Sequence, residues 1–354
     1  METKTAESPL SEKTARERGL RVVAIGGGTG LSTLLKGLKR FVISPAEVAA
    51  QADSPVIRDL CAVVTVSDDG GSSGRLRKEL NMLPPGDIRN CIVALSEDEA
   101  LLSRLFRHRF DKGSGLEGHS FGNLFLAALT SLTSDFSEAV RLSSEILVTR
   151  GHIYPATTSN IELEALMEDG TRVRGETKIT ASKGRIRELF LIPPNVEPMP
   201  QTLEAIAHAD MITIGPGSLF TSLIPNLLVR GIAQAIVESP ATKVYICNLM
   251  TQANESLDLT AADHIRALNR HAQKQIFDFA LINRTPVSND LKSKYASEGA
   301  CQIVNDLDAI EALGVVPVLG DYLDEGGVAR HNTSRVARDL MQLISQRPEM
   351  DRQP

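Results

Sequence analysis

A chain of 354 residues with 42% hydrophobic content can bury a large core, enough at about 150 residues per domain for about two units or for one main domain with a smaller insert. Its 38 basic and 44 acidic residues leave a net charge of −6, and aromatic residues make up 4% with no Trp. That balance argues against a surface that neutralises a nucleic-acid backbone or an anionic membrane, and against the stacking platforms of single-strand binders, so any phosphate must be gripped locally.

Cys61, Cys91, Cys247 and Cys301 form no CxxC pair and read as reduced core residues rather than as zinc ligands or a disulfide framework. No apolar run approaches the ~18 to 20 residues of a membrane span, and the start of the chain lacks a signal-peptide core, so a cytoplasmic protein is expected. Residues 1–20 are polar and read as a disordered tail, with a second polar tail at 346–354. The folded unit is expected over 21–345.

Val22-Val23-Ala24-Ile25 is a short apolar run that breaks into Gly26-Gly27-Gly28-Thr29-Gly30, after which apolar residues recur at helical spacing through Leu38: strand, glycine loop, helix. The unit recurs where Ala62 to Val66 runs into Ser67-Asp68-Asp69-Gly70-Gly71, and where Met211-Ile212-Thr213-Ile214 runs into Gly215-Pro216-Gly217-Ser218. Further buried strands are expected at Val244 to Cys247, Phe279 to Ile282 and Val315 to Leu319. Apolar strands alternating with helices imply right-handed crossovers, and the fold class is α/β: a Rossmann-like, doubly wound, mainly parallel sheet with helices on both faces. Between about 150 and 195 the pattern becomes alternating, and Asp169-Gly170 is a hairpin turn signal, which predicts a small antiparallel β insert. Asp258 to Ala272 reads as a surface helix with His264 and His271 solvated, and Val328 to Ile344 as a terminal amphipathic helix.

Five stretches carry candidate chemistry. Gly27, Gly28, Thr29 and Gly30 let backbone N–H groups approach an anion at a helix N-terminus, although the loop matches neither a Walker motif nor GxGxxG, which would need glycine at Leu31. Asp68 and Asp69 can hold a hard cation while Gly70, Gly71, Ser72, Ser73, Gly74 and Arg75 face phosphate oxygens; spacing leaves the metal undecided. Asp87, Arg89 and Asn90 open a helix, where Asp87 is either a cap or a ligand contact and Arg89 calls for a nearby anion. His119, Ser120 and Asn123 stand near the first turn of another helix, His119 facing a ligand or filling a structural role and Ser120 serving equally as an N-cap. Gly215, Pro216, Gly217 and Ser218 repeat the anion-loop geometry, or form a Pro-Gly turn capped by Ser218. No GxSxG elbow or other nucleophile–base pair stands out, so the catalytic candidates are limited to Asp68, Asp69 and His119.

Taken together and in this order from about Arg21 to Leu343, the stretches Ala24 to Leu31, Val66 to Gly74, Pro84 to Asn90, Gly118 to Asn123 and Gly215 to Phe220 strongly resemble the gluconeogenesis factor family (YvcK-like), within the superfamily of 2-phospho-L-lactate transferase (CofD-like). The resemblance implies a Rossmann-like sheet with a small inserted domain, homodimerisation, and binding of UDP-sugars or related nucleotides. It further implies a role in cell shape and envelope synthesis on gluconeogenic carbon sources, with envelope-synthesis proteins as partners. The transferase relatives join a guanylyl-activated phospholactate to a deazaflavin with magnesium, which would give Asp68 and Asp69 a metal role. Two positions depart from the family pattern: Leu259 precedes Thr260 where a Tyr is common, and Asn332 follows Arg330-His331 in place of Asp.

Overall fold

The computed structural model describes residues 19–43, 55–97, 101–182 and 184–350. Seven strands form one sheet in the order β10-β9-β8-β7-β1-β2-β3. They are β1 (Leu20–Gly26), β2 (Ile57–Val64), β3 (His152–Pro155), β7 (Met211–Ile214), β8 (Thr242–Ile246), β9 (Phe279–Asn283) and β10 (Val316–Gly320). Every neighbouring pair is parallel. A parallel sheet must be covered on both faces, and the runs that read as apolar strands are accordingly buried throughout β7 and β9.

From β1 the chain moves outward through β2 to the edge strand β3, then returns to lay β7 on the other side of β1. The strand order therefore reverses between β1 and β7. In an open α/β sheet the crevice at that reversal, outside the carboxyl ends of the strands, is where ligands bind. The glycine loops Gly26–Gly30 and Gly215–Ser218 follow these two strands, so the topology alone sets them on either side of the crevice.

Helix α1 (Gly28–Leu38) buries Leu31, Leu34, Leu35 and Leu38, the spacing that predicted it. Between β2 and β3 lies a helical excursion: α2 (Gly71–Leu80), α3 (Gly86–Leu95), α4 (Leu101–Arg107), α5 (Phe121–Thr133) and α6 (Phe136–Ile146). The antiparallel insert is the sheet β5-β4-β6, formed by β4 (Glu162–Met167), β5 (Arg172–Arg174) and β6 (Ile186–Ile192), with α7 (Glu176–Ala181) between β5 and β6. The Asp169-Gly170 turn is present, with Asp169 Oδ1 accepting the Thr171 N–H at 2.9 Å. The expected start of the insert near residue 150 is corrected, because His152–Pro155 is the parallel edge of the main sheet. Four residues ending in Pro are too short to read as a strand, and Pro is tolerated there because an edge strand leaves one side unpaired.

The chain continues through α8 (Pro200–Ala207), the π-helical turn Leu219–Leu223, α9 (Ile224–Leu228), α10 (Ile232–Glu238), α11 (Ala261–Ala272), α12 (Asn289–Ala296) and α13 (Leu307–Glu311). It ends in a hairpin of β11 (Leu323–Glu325) and β12 (Ala329–His331), followed by α14 (Thr333–Met350). The last helix was expected from Val328, but Ala329–His331 is a hairpin strand and the helix starts at Thr333, running on to Met350 where a polar tail from 346 was expected. The amino-terminal tail lies outside the described residues except at its end, where Leu20 already opens β1.

Two further expectations are corrected. His264 is fully buried with its Nδ1 at 2.8 Å from the Tyr245 hydroxyl, and burial lowers its pKa to about 4. His271 Nε2 accepts the Leu189 N–H of the insert at 3.0 Å while its Nδ1 donates to Ala267 O. Both histidines sit on the faces of α11 that bear on other elements, where a polar helix sequence gives no warning of contact. Cys61, Cys91 and Cys247 are buried as expected, but Cys301 is exposed. Among the described residues no single helix is long and apolar enough to cross a membrane.

Candidate functional site

The five predicted stretches meet at the carboxyl ends of β1, β2 and β7, and their glycines record how tightly. A Cβ on Gly30 would stand 2.2 Å from Pro216 O, so the loops after β1 and β7 touch backbone to backbone. A Cβ on Gly27 would stand 2.9 Å from Asp87 Oδ2, and one on Gly86 would stand 2.5 Å from Ser73 Oγ. A Cβ on Gly122 would meet Arg89 Cδ at 2.8 Å. Distances below 3 Å leave room only for hydrogen, so glycine is required for the stretches to form one surface.

The loop after β1 delivers α1 with Gly27 as N-cap and no side-chain cap. Gly28, at φ +61°, gives its N–H to the Asp87 carboxylate. Asp87 therefore does not cap its own helix, whose N-cap is Pro85. Burial and the neighbouring Asp68 push its pKa up to about 6, against the Gly28 N–H and Arg89. The N–H groups of Thr29 and Gly30 draw no acceptor from the described residues, and the two residues line a cleft of about 340 Å³. Across it stand Pro216, Asn248, Tyr295 and Arg330.

The loop after β2 starts α2, also without a side-chain cap. Asp68 Oδ1 accepts the Gly70 N–H at 2.9 Å. Asp69 Oδ1 is occupied by Thr177 of the insert, through its N–H at 2.9 Å and its hydroxyl at 2.5 Å. In the first turn of α2, Ser72 Oγ accepts from Asn123 Nδ2 at 3.0 Å and lies 2.9 Å from His119 Nδ1. His119 is buried, and burial with the Arg75 charge lowers its pKa, which keeps the ring neutral near pH 7. Ser120 is the N-cap of α5, taking the Asn123 N–H at 3.3 Å, and also accepts from Arg89 Nη1 at 2.6 Å. Arg89 Nη2 holds the neighbouring Asn90 Oδ1 at 2.8 Å. Arg75 donates to Glu117 O and, with Ser72 and Arg109, borders a second hollow of about 640 Å³. Asn123 Oδ1 and Arg89 Nε are buried without a hydrogen-bond partner among the described residues.

The loop after β7 differs from its expected role. Gly217 N–H donates to Asn248 Oδ1 at 3.1 Å, and the N–H groups of Phe220 and Thr221 donate to Glu255 Oε1 at 2.8 and 2.9 Å. Ser218 is the N-cap residue of the Leu219–Leu223 turn, but its hydroxyl goes to Gln252 Oε1 instead of capping it. The helix N-terminus read as open for an anion is filled by a buried carboxylate of the protein itself. What this loop offers the crevice is its Pro216-Gly217 backbone, pressed on Gly30.

The carboxylates Asp68, Asp69, Asp87 and Glu176 lie close together, and burial plus the other three raise the Glu176 pKa to about 9. Among the described residues no group of three or more His, Cys, Asp or Glu is arranged to hold a metal ion. Asp69 Oδ1 is taken by Thr177, which leaves Asp69 Oδ2 and the Asp68 carboxylate as the oxygens of this pair nearest the loop.

Glu176, Asn248, Glu255, Tyr295 and Arg330 escaped sequence reasoning. Only Arg330 carried a signal, as part of the Arg330-His331 pair noted in the resemblance. Leu259, where the resemblance called for Tyr, packs against the core, and Tyr295 lines the cleft. Asn332 accepts the Arg335 N–H at 3.1 Å as a cap of α14, a task Asp performs equally.

The model of the family described as 2-phospho-L-lactate transferase CofD matches residues 22–323. The chain is 49% identical over 323 residues to a gluconeogenesis factor of Halalkalibacterium halodurans, covering 91% of this chain and 95% of the relative. It is 46% identical over 327 residues to the gluconeogenesis factor of Bacillus subtilis, covering 92% and 98%. A crystal structure of a Bacillus halodurans protein described as a member of the UPF0052 family superposes with a TM-score of 0.85 at 48% identity, covering 91% of this chain and 99% of that one. The chain belongs to the CofD family and groups within it with the gluconeogenesis factors.

Proposed function

We propose that this chain is a regulatory protein that binds a nucleotide, and specifically a UDP-sugar, in the crevice between β1 and β7, without turnover. The observation that carries it is the backbone contact of Gly30 with Pro216 at the strand-order reversal, which sets the open N-terminus of α1 in a cleft with Tyr295 and Arg330. An α-helix N-terminus and a guanidinium suit a diphosphate, and a tyrosine ring offers a face to a base. Gly27 to Gly30, Gly70 to Arg75, Asp87 to Asn90, His119, Ser120, Asn123 and Gly215 to Ser218 frame the site. The relatives' name, gluconeogenesis factor, supports a role in gluconeogenic growth; cytoplasmic action on cell shape and envelope synthesis, and a homodimer, belong to the proposal on the family resemblance alone. Calorimetric titration with UDP-N-acetylglucosamine, UTP and GDP tests the ligand: saturable heat with the UDP-sugar is expected, and no heat from any nucleotide refutes the proposal.

A second reading, a magnesium-dependent transferase of a phosphorylated group, is favoured by the Ser72–His119–Asn123 network beside Arg75. Incubation with magnesium, guanylyl-phospholactate and a deazaflavin should then release GMP, and no release across a panel of acceptors leaves the binding protein alone.

A further inference from the structure

Helix α7 of the insert lacks a cap of its own, since its N-cap residue is Gly175. The missing acceptor comes from the loop after β2, where the Asp69 carboxylate takes both the N–H and the hydroxyl of Thr177. Gly175, at φ +98°, is closed onto the same group, and a Cβ there would stand 2.7 Å from Asp69 Oδ2. On the other side a Cβ on Gly74 would stand 1.9 Å from Asp69 O. Asp69 is thus clamped between the first turn of α2 and the first turn of α7. A second tie runs parallel, because buried Arg77 of α2 donates to Ile161 O at the entrance of the insert. The residue these ties fix is Glu176, the first residue of α7: a Cβ on Gly70 would stand 3.4 Å from Asp68 Oδ1 and 3.5 Å from Thr177 Oγ1, so the start of α7 lies against the loop after β2, next to Asp68. It is partly exposed, and while its carbonyl oxygen accepts the Thr180 hydroxyl at 3.0 Å, its carboxyl has no hydrogen bond or ion pair among the described residues.

We propose that Asp69 is a positioning residue that caps α7 and thereby seats Glu176 at the site, where Glu176 accepts or shares the hydroxyl protons of the ligand's sugar. The inference rests on the nucleotide-sugar reading above. A carboxyl beside Asp68 and Asp87 has oxygens free for hydroxyl donors and stands among groups that repel a third phosphate, so this end of the site selects a hydroxyl-bearing group over a triphosphate. Docking of the insert and binding of the ligand are then linked through one side chain.

The full chain and its D69A, D69N, E176A and D69A/E176A variants test this by calorimetry with UDP-N-acetylglucosamine and UTP, and by hydrogen exchange over residues 176–181. D69A is expected to speed exchange in α7 and to weaken the UDP-sugar about tenfold, the loss of a little over 1 kcal/mol. D69N keeps the oxygen acceptor and should restore both. E176A should weaken the UDP-sugar while leaving UTP unchanged or tighter, and D69A should add nothing to E176A. UDP-sugar affinity unchanged in D69A, additive losses in the double variant, or a D69N variant as impaired as D69A would overturn the proposal. Silence of the wild-type chain toward both nucleotides instead removes the nucleotide reading, and the proposal with it.

Discussion

The loops after β1 and β7 share a glycine-rich strand-to-helix pattern, yet they finish with opposite local chemistry. After β1 the first turn of α1 gives one N–H to Asp87 and leaves those of Thr29 and Gly30, residues that line the cleft, without an acceptor among the described residues. After β7 the N–H groups of Gly217, Phe220 and Thr221 are all taken by Asn248 and Glu255. A helix N-terminus is an anion site only while nothing in the protein fills it. Here the filling group stands more than thirty residues further on, so no local motif distinguishes the two loops.

The largest expected effect breaks the contact between them. Gly30→Val would drive a side chain into Pro216 O, and the cost of overpacking against backbone is about 3 kcal/mol. Chemical unfolding should register the loss, with nucleotide binding abolished; a variant that binds normally would show that the loops need not touch.

Next in size is the filled loop itself. Glu255 is buried with its pKa raised chiefly by burial, while Phe220 and Thr221 N–H groups oppose that rise. Glu255→Ala leaves two buried N–H groups without an acceptor, a loss of about 2 kcal/mol in unfolding experiments. If the loop is only structural, the variant should lose stability while UDP-sugar affinity, measured below its melting point, changes little.

The open side is probed by Arg330→Ala, which removes a cation from the cleft of Thr29 and Gly30. About a tenfold loss of nucleotide affinity is expected, typical of one charge-assisted hydrogen bond. Equal affinity in calorimetry would move the phosphates away from α1.

The last test follows pH, where the effect is a slope rather than a single loss. Glu176 in the fold holds its proton up to about 9, against an ordinary value of 4.5 in the unfolded chain. The folded state therefore binds more protons between these values, and stability falls as pH rises through that window, by up to about 1.4 kcal/mol per unit. Asp87 adds the same sign between 3.8 and about 6. Urea unfolding at pH 5, 7 and 9 should show the decline, flattened in Glu176→Gln; a slope unchanged by that substitution would place the titration elsewhere.

The contrast between the loops also marks how far the sequence could be read. Strands with continuous apolar runs, such as Met211–Ile214, and helices with leucines at helical spacing, such as α1, are written locally and were legible. So was the convergence of the three loops after β1, β2 and β7, because a parallel sheet brings every strand-end loop to one edge, whereas the stretches at Asp87 and His119 join them from the helical excursion between β2 and β3. What local sequence does not encode is who satisfies whom across the fold. Asp87 serves Gly28, Asp69 serves Thr177, and Glu255 serves Phe220 and Thr221. Tyr295 and Arg330 reach the cleft from polar segments near the end of the chain, where tertiary placement alone gives them a role. His264 looked solvated because a polar helix reveals its buried side only through its neighbours.

A crystal structure of the chain with UDP-N-acetylglucosamine tests the central claim most directly. The account predicts diphosphate oxygens at hydrogen-bond distance from the Thr29 and Gly30 N–H groups, with Glu255 still bound to Phe220 and Thr221. Phosphate seated on the Leu219–Leu223 turn with Glu255 displaced, or ligand bound away from the β1–β7 crevice, would contradict it.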